Sequence, residues 1–269
     1  MRFPEKYRDI LTGESRESRV ELTVGCGGTV KRRLGSHSLA VSRPLYPEGD
    51  LPHFILINSS GGLVQGDRLF IDVRIDDEAR AHLTTQSANR IYRMECGCAV
   101  QETSIAAGEN AFLEYLPDPN IPFKGSNLFQ QTTVDLRRSS TFFSWDIVHP
   151  GRYASGERFE MGVYFSGLRL RIDGRQVLAD TIVLEPAKRA HATPGILGNA
   201  SFIAAVYIYC RDAEALGKAL KVPCCINHAG VLVVRLPGED WLAMQKALEQ
   251  IHQVFREHEH LSPLANRRG

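Results

Sequence analysis

The stretch from Ser59 to Asp67 (SSGGLVQGD) is the one best built to bring a reactive group to a fixed point. Gly61, Gly62 and Gly66 allow positive φ and close backbone approach, and they deliver one carboxylate, Asp67, at the head of the alternating run 68–76. A lone carboxylate at the end of a glycine turn suits a weak metal contact or a turn cap, and residue types alone leave both open. Cys96-Gly97-Cys98 has the donors to grip a soft metal, but no matched second pair follows, so two ordinary thiols in a turn is the plainer reading. Cys224-Cys225 with His228 stands the same way. Near the C-terminus His252, His258 and His260, with Glu257 and Glu259, offer either a weak divalent-ion set or a solvated helix end. No G-x-S-x-G elbow, H-E-x-x-H helix, phosphate-binding glycine loop or paired C-x-x-C is present, which argues against an NTPase or a zincin.

These groups must be carried by strands. Leu69, Ile71, Val73 and Ile75 alternate with polar and charged neighbours, the period of a half-buried strand. Similar runs lie at 19–24, 53–58, 111–116, 131–136, 159–172 and 176–184. Short turns such as Asp173-Gly174 and Glu109-Asn110 separate them and predict a mostly antiparallel all-β body. The last quarter differs. Strands are expected at 202–210 and 230–236, each followed by a helix, and Trp241, Met244, Leu248, Ile251 and Phe255 form one apolar helical stripe directed at the protein's own core. The segment 191–199 (HATPGILGN) reads as the linker, giving a β body over 1–190 and a C-terminal α+β portion over 191–269 packed on it.

Composition narrows the function classes. The chain has 269 residues, is 43% hydrophobic and 23% charged, and balances 32 Lys and Arg against 31 Asp and Glu for a formal charge of +1. That length buries a substantial core. A near-neutral balance provides no global field to hold nucleic acid or an anionic membrane. Six cysteines, an N-terminus without a signal-peptide pattern and no apolar run of about 18 residues predict a reduced, cytoplasmic protein without a membrane span.

Further marked segments follow the glycine turn in order: 84–93 (TTQSANRIYR), Leu113-Glu114-Tyr115-Leu116-Pro117, Trp145-Asp146, and Gly151-Arg152 followed by Gly156-Glu157. Each taken singly is an ordinary corner or turn. As an ordered set, with Arg43-Pro44-Leu45-Tyr46-Pro47 before them and Gly-Gly-x-x-x-Gly-Asp at 61–67, they resemble the urease accessory protein family UreD, called UreH in some lineages. The resemblance is strong over 18–186 and rests more on pattern than on residues in the last quarter.

What the resemblance implies is a mainly β, elongated body of stacked sheets, β-helix-like, with a small C-terminal α+β portion. It also implies a non-enzymatic chaperone that helps insert nickel into urease. In that family the protein binds apo-urease on one side and a UreF-type protein on the other, while a UreG-type GTPase supplies nickel, and an internal tunnel is thought to carry the metal. No permanent cofactor is implied, only transient Ni²⁺. A conduit must release what it binds, so single carboxylates, amide carbonyls and water suit it better than thiolates. By position in the family pattern Asp67, Asp180 and Glu157 are the candidate nickel contacts. Asn89, Arg90, Asp146 and Arg152 are candidate tunnel or interface residues, Arg90 being expected to keep a neighbouring carboxylate ionised. The cysteine pairs are not part of the family pattern. Against these roles stands the alternative that Asp67 caps its turn and Asp180 pairs with an arginine. The rival function is a metal-dependent hydrolase on a β scaffold, with Asp67, Asp180 and His191 or His37 as ligands; a sugar-binding module is disfavoured because both tryptophans lie in apolar contexts.

Overall fold

The structure is a computed structural model that describes residues 15–189 and 197–264. His191 therefore lies outside the described residues. In chain order the strands are β1 (Arg16–Gly25), β2 (Thr29–Gly35), β3 (Leu39–Val41), β4 (Leu45–Glu48), β5 (Leu51–Asn58), β6 (Asp67–Ile75), β7 (Arg80–Thr85), β8 (Asn89–Ile91) and β9 (Ala99–Ala107). Then come β10 (Phe112–Leu116), β11 (Asn120–Pro122), β12 (Asn127–Leu136), β13 (Thr141–Val148), β14 (Val163–Ile172), β15 (Arg175–Leu184) and β16 (Phe202–Tyr209). Helix α1 (Ala213–Ala219), β17 (Cys224–Ile226), β18 (Val231–Gly238) and helix α2 (Trp241–His258) complete the described chain. Among the described residues no helix is long and apolar enough to cross a membrane.

From β5 to β14 the chain alternates between two facing sheets and advances by one strand position at each return, so the body is a flattened β-solenoid. One sheet runs β15-β14-β12-β9-β6-β1-β2, the other β17-β18-β16-β13-β10-β7-β5-β3. Inside both sheets the neighbours are parallel: β1 with β6, β6 with β9, β9 with β12 and β12 with β14 in the first, β5 with β7, β7 with β10 and β10 with β13 in the second. This corrects the antiparallel expectation. Antiparallel pairing is confined to the ends, at β1–β2, β14–β15 and the strands from β16 onward, besides β3 and β4 on β5. A parallel pair needs a long crossover, and here the crossover is a strand of the opposite sheet. Glu109-Asn110 is thus a corner between the sheets, with Asn110 at φ 52°, whereas Asp173-Gly174 is a true hairpin turn. The expected strand at 159–172 starts only at Val163, since Phe159 adopts φ 51° in the preceding loop.

Much of the first sheet's outer side faces solvent, where Arg19–Asp72, Lys31–Asp76 and Arg171–Asp135 pair across strands, while Val100, Phe129 and Val163 form a small buried cluster on the same side. Its alternating sequence follows from that one wet face. The second sheet is covered on both sides. Its inner face joins the solenoid core with Phe54, Leu83, Leu113 and Phe142, and its outer face carries Phe112, Phe143, Trp145 and Val206 into a second core with α1 and α2. Within that second core the α2 stripe buries Met244, Leu248, Ile251 and Phe255. Asp212 and Asp240 cap the two helices by accepting from the backbone N–H of Ala215 and Ala243. Because β16 pairs with both β13 and β18, the C-terminal strands continue the second sheet of the body.

Candidate functional site

Register decides what the solenoid encloses. One inward rank of the first sheet aligns Leu69, Gln101, Gln130 and Ser166 across β6, β9, β12 and β14, and the next aligns Ile71, Thr103, Thr132 and Leu168, with Asp180 of β15 beside it. The third rank, Val73, Ile105, Val134 and Leu170, is wholly apolar. The interior is therefore graded from amide and hydroxyl groups at one side to aliphatic packing at the other. At the polar side a cavity of about 80 Å³ is lined by Gln101, Asn120, Gln130, Ser144, Asp146 and Ser166 together with Asn89, Gly61, Gly62 and apolar neighbours. At roughly 10–15 Å³ each it has room for several waters.

A hydrogen-bonded chain runs along its wall. Asn89 Nδ2 donates to Asn120 Oδ1 at 2.9 Å, and Asn120 Nδ2 donates to Gln130 Oε1 at 3.2 Å and to the Tyr164 hydroxyl at 3.0 Å. Gln130 Nε2 in turn donates to Ser166 Oγ at 3.0 Å, and both Gln130 and the Ser166 hydroxyl donate to Asp146. Burial pushes the Asp146 carboxyl above the usual range, opposed by the hydrogen bonds from Ser166 and Gln130 and by the charge of Arg235. Near it, where β15 meets β16 and β18, Asp180 Oδ2 accepts from the Tyr207 hydroxyl at 2.7 Å and from Arg235. Burial, helped by the Asp146 and Asp180 carboxylates, keeps the Tyr207 phenol protonated far beyond its ordinary range. The wall offers carboxylate, amide and hydroxyl oxygens without a thiolate or imidazole, a hard and weakly binding donor set.

The sequence-derived residues divide into those at this cavity and those elsewhere. Asn89, Asp146, Gly61 and Gly62 line it, and Asp180 sits at the end of the interior beside Tyr207 and Arg235. Asp67 turns onto its own loop, where Oδ2 accepts from the Val64 backbone N–H at 2.8 Å. Glu157 is buried and fixes the loop before β14, accepting from Lys124 N at 2.6 Å and from Arg152 Nε at 2.9 Å. Arg152 lies over the Phe123 ring at 4.9 Å. Arg90 is exposed and forms no ion pair with a carboxylate of the described residues; its backbone carbonyl instead accepts from Leu63 N at 2.7 Å. Gly62 permits that approach, because a Cβ there would lie 2.5 Å from the Arg90 carbonyl oxygen. Gly61 and Gly66 take φ of 73° and 84° in the turn.

Neither Cys96 with Cys98, nor Cys224 and Cys225 with His228, nor Asp67 and Asp180 with His37 forms a three-ligand group with atoms within 4.8 Å, among the described residues. Cys96 accepts from Gln65 Nε2 at 3.2 Å, and burial pushes the Cys98 thiol up to about 11.

Sequence reasoning missed Asn120, Gln130, Tyr164, Ser166, Tyr207 and Arg235. For Gln130 the signal was available: Leu128, Val134 and Leu136 share its parity in β12, so an inward strand face contains Gln130 and Thr132. Also missed was a buried charged hub on the opposite face of the second sheet. Glu114, fully buried, accepts from His82 Nδ1 and His252 Nε2 at 2.8 Å each and from Arg256 Nη1 at 2.7 Å. Arg256 also donates to Glu48 and to the Ser262 carbonyl. Burial opposes ionisation of Glu114, yet the hydrogen bonds from His252 and His82 hold its carboxyl well below the ordinary range. Burial lowers His252, which therefore serves as a neutral donor, and the buried Arg256 guanidinium is shared between the Glu114 and Glu48 carboxylates. His53 stacks on His82 with centroids 4.4 Å apart, and burial pushes it down to about 4. His252, grouped in sequence with His258 and His260, thus belongs to a structural hub that docks α2.

The family model described as UreD urease accessory protein matches residues 17–268. The chain is 34% identical over 253 residues to the urease accessory protein UreD of Cenarchaeum symbiosum, covering 91% of this chain and 89% of that one. To the urease accessory protein UreD of Escherichia coli it is 32% identical over 243 residues, 86% of each chain. A Bacillus urease accessory protein UreD is 40% identical over a shorter 149 residues, 55% of each chain. The match extends well into the last quarter, where resemblance of individual residues was weakest, and the chain belongs to the UreD urease accessory protein family.

Proposed function

We propose that this protein serves urease maturation as a non-catalytic cytoplasmic subunit that offers Ni²⁺ a path through its interior toward apo-urease. Ni²⁺ is cargo in this reading. Family membership supports the role in maturation and interaction with urease and other accessory proteins. A UreF-type protein and a UreG-type GTPase are the partners that would complete the assembly.

The observation that carries the conduit reading is the polar cavity inside a solenoid whose neighbouring rank is aliphatic. A half-buried carboxylate without a closed ligand cage suits passage: it lowers the cost of bringing in a dication, and lacks the ligand number that would trap it. Asp146 is that carboxylate, and Asp180, held by Tyr207 and Arg235, is the acid at the end of the interior. Asp67 already accepts from a backbone N–H of its own turn and Glu157 from one of a neighbouring loop, and both act as supports.

The test is a urease operon in which this gene carries Asp146→Ala or Asp180→Ala, read as nickel per purified urease and as urease activity. Co-purification of the variant with apo-urease is monitored alongside. Low nickel with intact co-purification is expected. Normal nickel content in both variants would overturn the conduit, and normal urease in a strain lacking the gene would overturn the role in maturation.

A further inference from the structure

Cys210 directly follows β16, while His258 is the last residue of α2 and Glu259 its C-terminal cap. The Cys210 sulfur, a ring nitrogen of His258 and a carboxylate oxygen of Glu259 all lie within 4.8 Å of one another, a three-ligand grouping that the other cysteines and histidines of the described residues do not achieve. We propose that Cys210, His258 and Glu259 bind a borderline divalent cation of the Zn²⁺ class and thereby fasten the end of α2 to the end of β16.

Donor chemistry supports this. Sulfur, imidazole nitrogen and carboxylate oxygen are the ligands Zn²⁺ accepts, and three of them leave a tetrahedral position for water. Thiolate and imidazole hold such a cation where hard oxygens would let it pass. The site also lies apart from the cavity: Cys210 belongs to the second core, on the helix side of the second sheet. It is preorganised, because Arg256, two residues before His258, is fixed by Glu114 and Glu48, and because Leu261 N and His260 N close the chain back on the Arg256 and Glu257 carbonyls at 2.8 and 3.2 Å.

Thr141 is hydrogen-bonded to Glu259 and steadies its carboxylate at the site, which Arg80 and His260 flank.

The experiment titrates metal-free, full-length protein with Co²⁺ alone as a spectroscopic probe. A thiolate-to-cobalt charge-transfer band saturating at one equivalent and displaced by Zn²⁺ is expected, with Zn²⁺ raising the melting temperature. Cys210→Ser should abolish the band. His258→Gln and Glu259→Gln, at the helix end, should weaken Co²⁺ binding by roughly tenfold or more, equivalent to about 1.4 kcal/mol. Cys96→Ser and the double variant Cys224→Ser/Cys225→Ser should leave the band in place. A wild-type protein without a thiolate band, or a band that survives Cys210→Ser, would overturn the site. Should Cys210→Ser fail to fold, unchanged Co²⁺ affinity in His258→Gln would overturn it equally.

Discussion

Replacing Glu114 is the most demanding test of how α2 is attached. Three donors converge on its two oxygens, from His82, His252 and Arg256, and neither Glu114 nor Arg256 is exposed. Glu114→Ala leaves all three without their acceptor. At about 1–3 kcal/mol for each stranded buried donor the sum would be large, but Glu48 still faces Arg256, and water can enter the space vacated. The expected loss is therefore that of a broken buried ion pair, about 3–5 kcal/mol. Glu114→Gln keeps the volume and one acceptor, and its amide can face His252 in the other tautomer, so about half that loss is expected. Arg256→Met removes the buried cation instead. Combined with Glu114→Leu it leaves an apolar pair, and the double variant should recover about 2 kcal/mol relative to the sum of the singles. Urea unfolding followed by tryptophan emission is a direct assay, since Trp145 packs beside His252 with centroids 6.0 Å apart and Trp241 packs near Phe202 at 5.8 Å. A Glu114→Ala loss below about 1 kcal/mol, or strict additivity in the double variant, would refute the hub as the element that docks α2.

Acid should weaken the fold earlier than carboxylate titration does. His53 and His149 are each held near 4 by burial, below the ordinary 6.5, so the unfolded chain takes up protons first between those values. Stability from both is complete above about pH 6.5 and falls toward pH 4, by on the order of 3 kcal/mol for the more buried His53. The Glu114 carboxyl, held low, adds its loss only below the ordinary carboxylate pKa near 4.3. Urea midpoints at pH 7.5, 6 and 5 check this, and a midpoint that stays flat or rises toward acid contradicts it. Gly62→Ala should lower the melting temperature more than Gly61→Ala. The first places a Cβ 2.5 Å from the Arg90 carbonyl and 2.6 Å from the Tyr92 ring, whereas the second meets open space and bears only the strain of φ 73°. About 1–3 kcal/mol against about 1 kcal/mol is expected, and the reverse order would show that β8 moves freely. Asp180→Ala should cost about 1–2 kcal/mol by freeing the Tyr207 hydroxyl, and spectrophotometric titration should show the phenol ionising at lower pH than in the wild type.

How far the sequence discloses this protein depends on the length scale of each feature. Strand positions were legible because alternation reports a half-buried strand wherever it lies; β6, β10 and β15 fall within a residue or so of the expected runs. Strand direction was not, since alternation is the same for parallel and antiparallel neighbours when one face is wet. The α2 stripe was legible for the same local reason, and it buries Met244, Leu248, Ile251 and Phe255 as its spacing requires. Site residues fared according to what fixes them. Asp67 is answered within its own turn by Val64, so the turn-cap alternative could be written from local sequence. Glu114 is answered by His252, 138 residues away, and no local pattern carries that pairing. Asn89 and Asp146 were found through family motifs, while Gln130 and Ser166 needed the parallel register that stacks them.

That register also explains how a polar interior is tolerated. An ordinary solenoid packs its inner face with aliphatic residues, and here two ranks lose part of that packing to amides, hydroxyls and a carboxylate. In the second sheet the deficit falls on β13, whose Ser144 and Asp146 face the cavity. Neighbouring residues of the same strand face the other way: Phe143, Trp145 and Ile147 enter the second core with α2. On β10 the same division places Leu113 and Tyr115 in the solenoid core and Glu114 in the hub. In the second sheet, β13, which loses apolar contact on the cavity side, is thus held on its opposite face by helix packing. The C-terminal helices are consequently part of what keeps the conduit wall in register, and loosening α2 through Glu114 should disturb the cavity before it unravels the outer sheet.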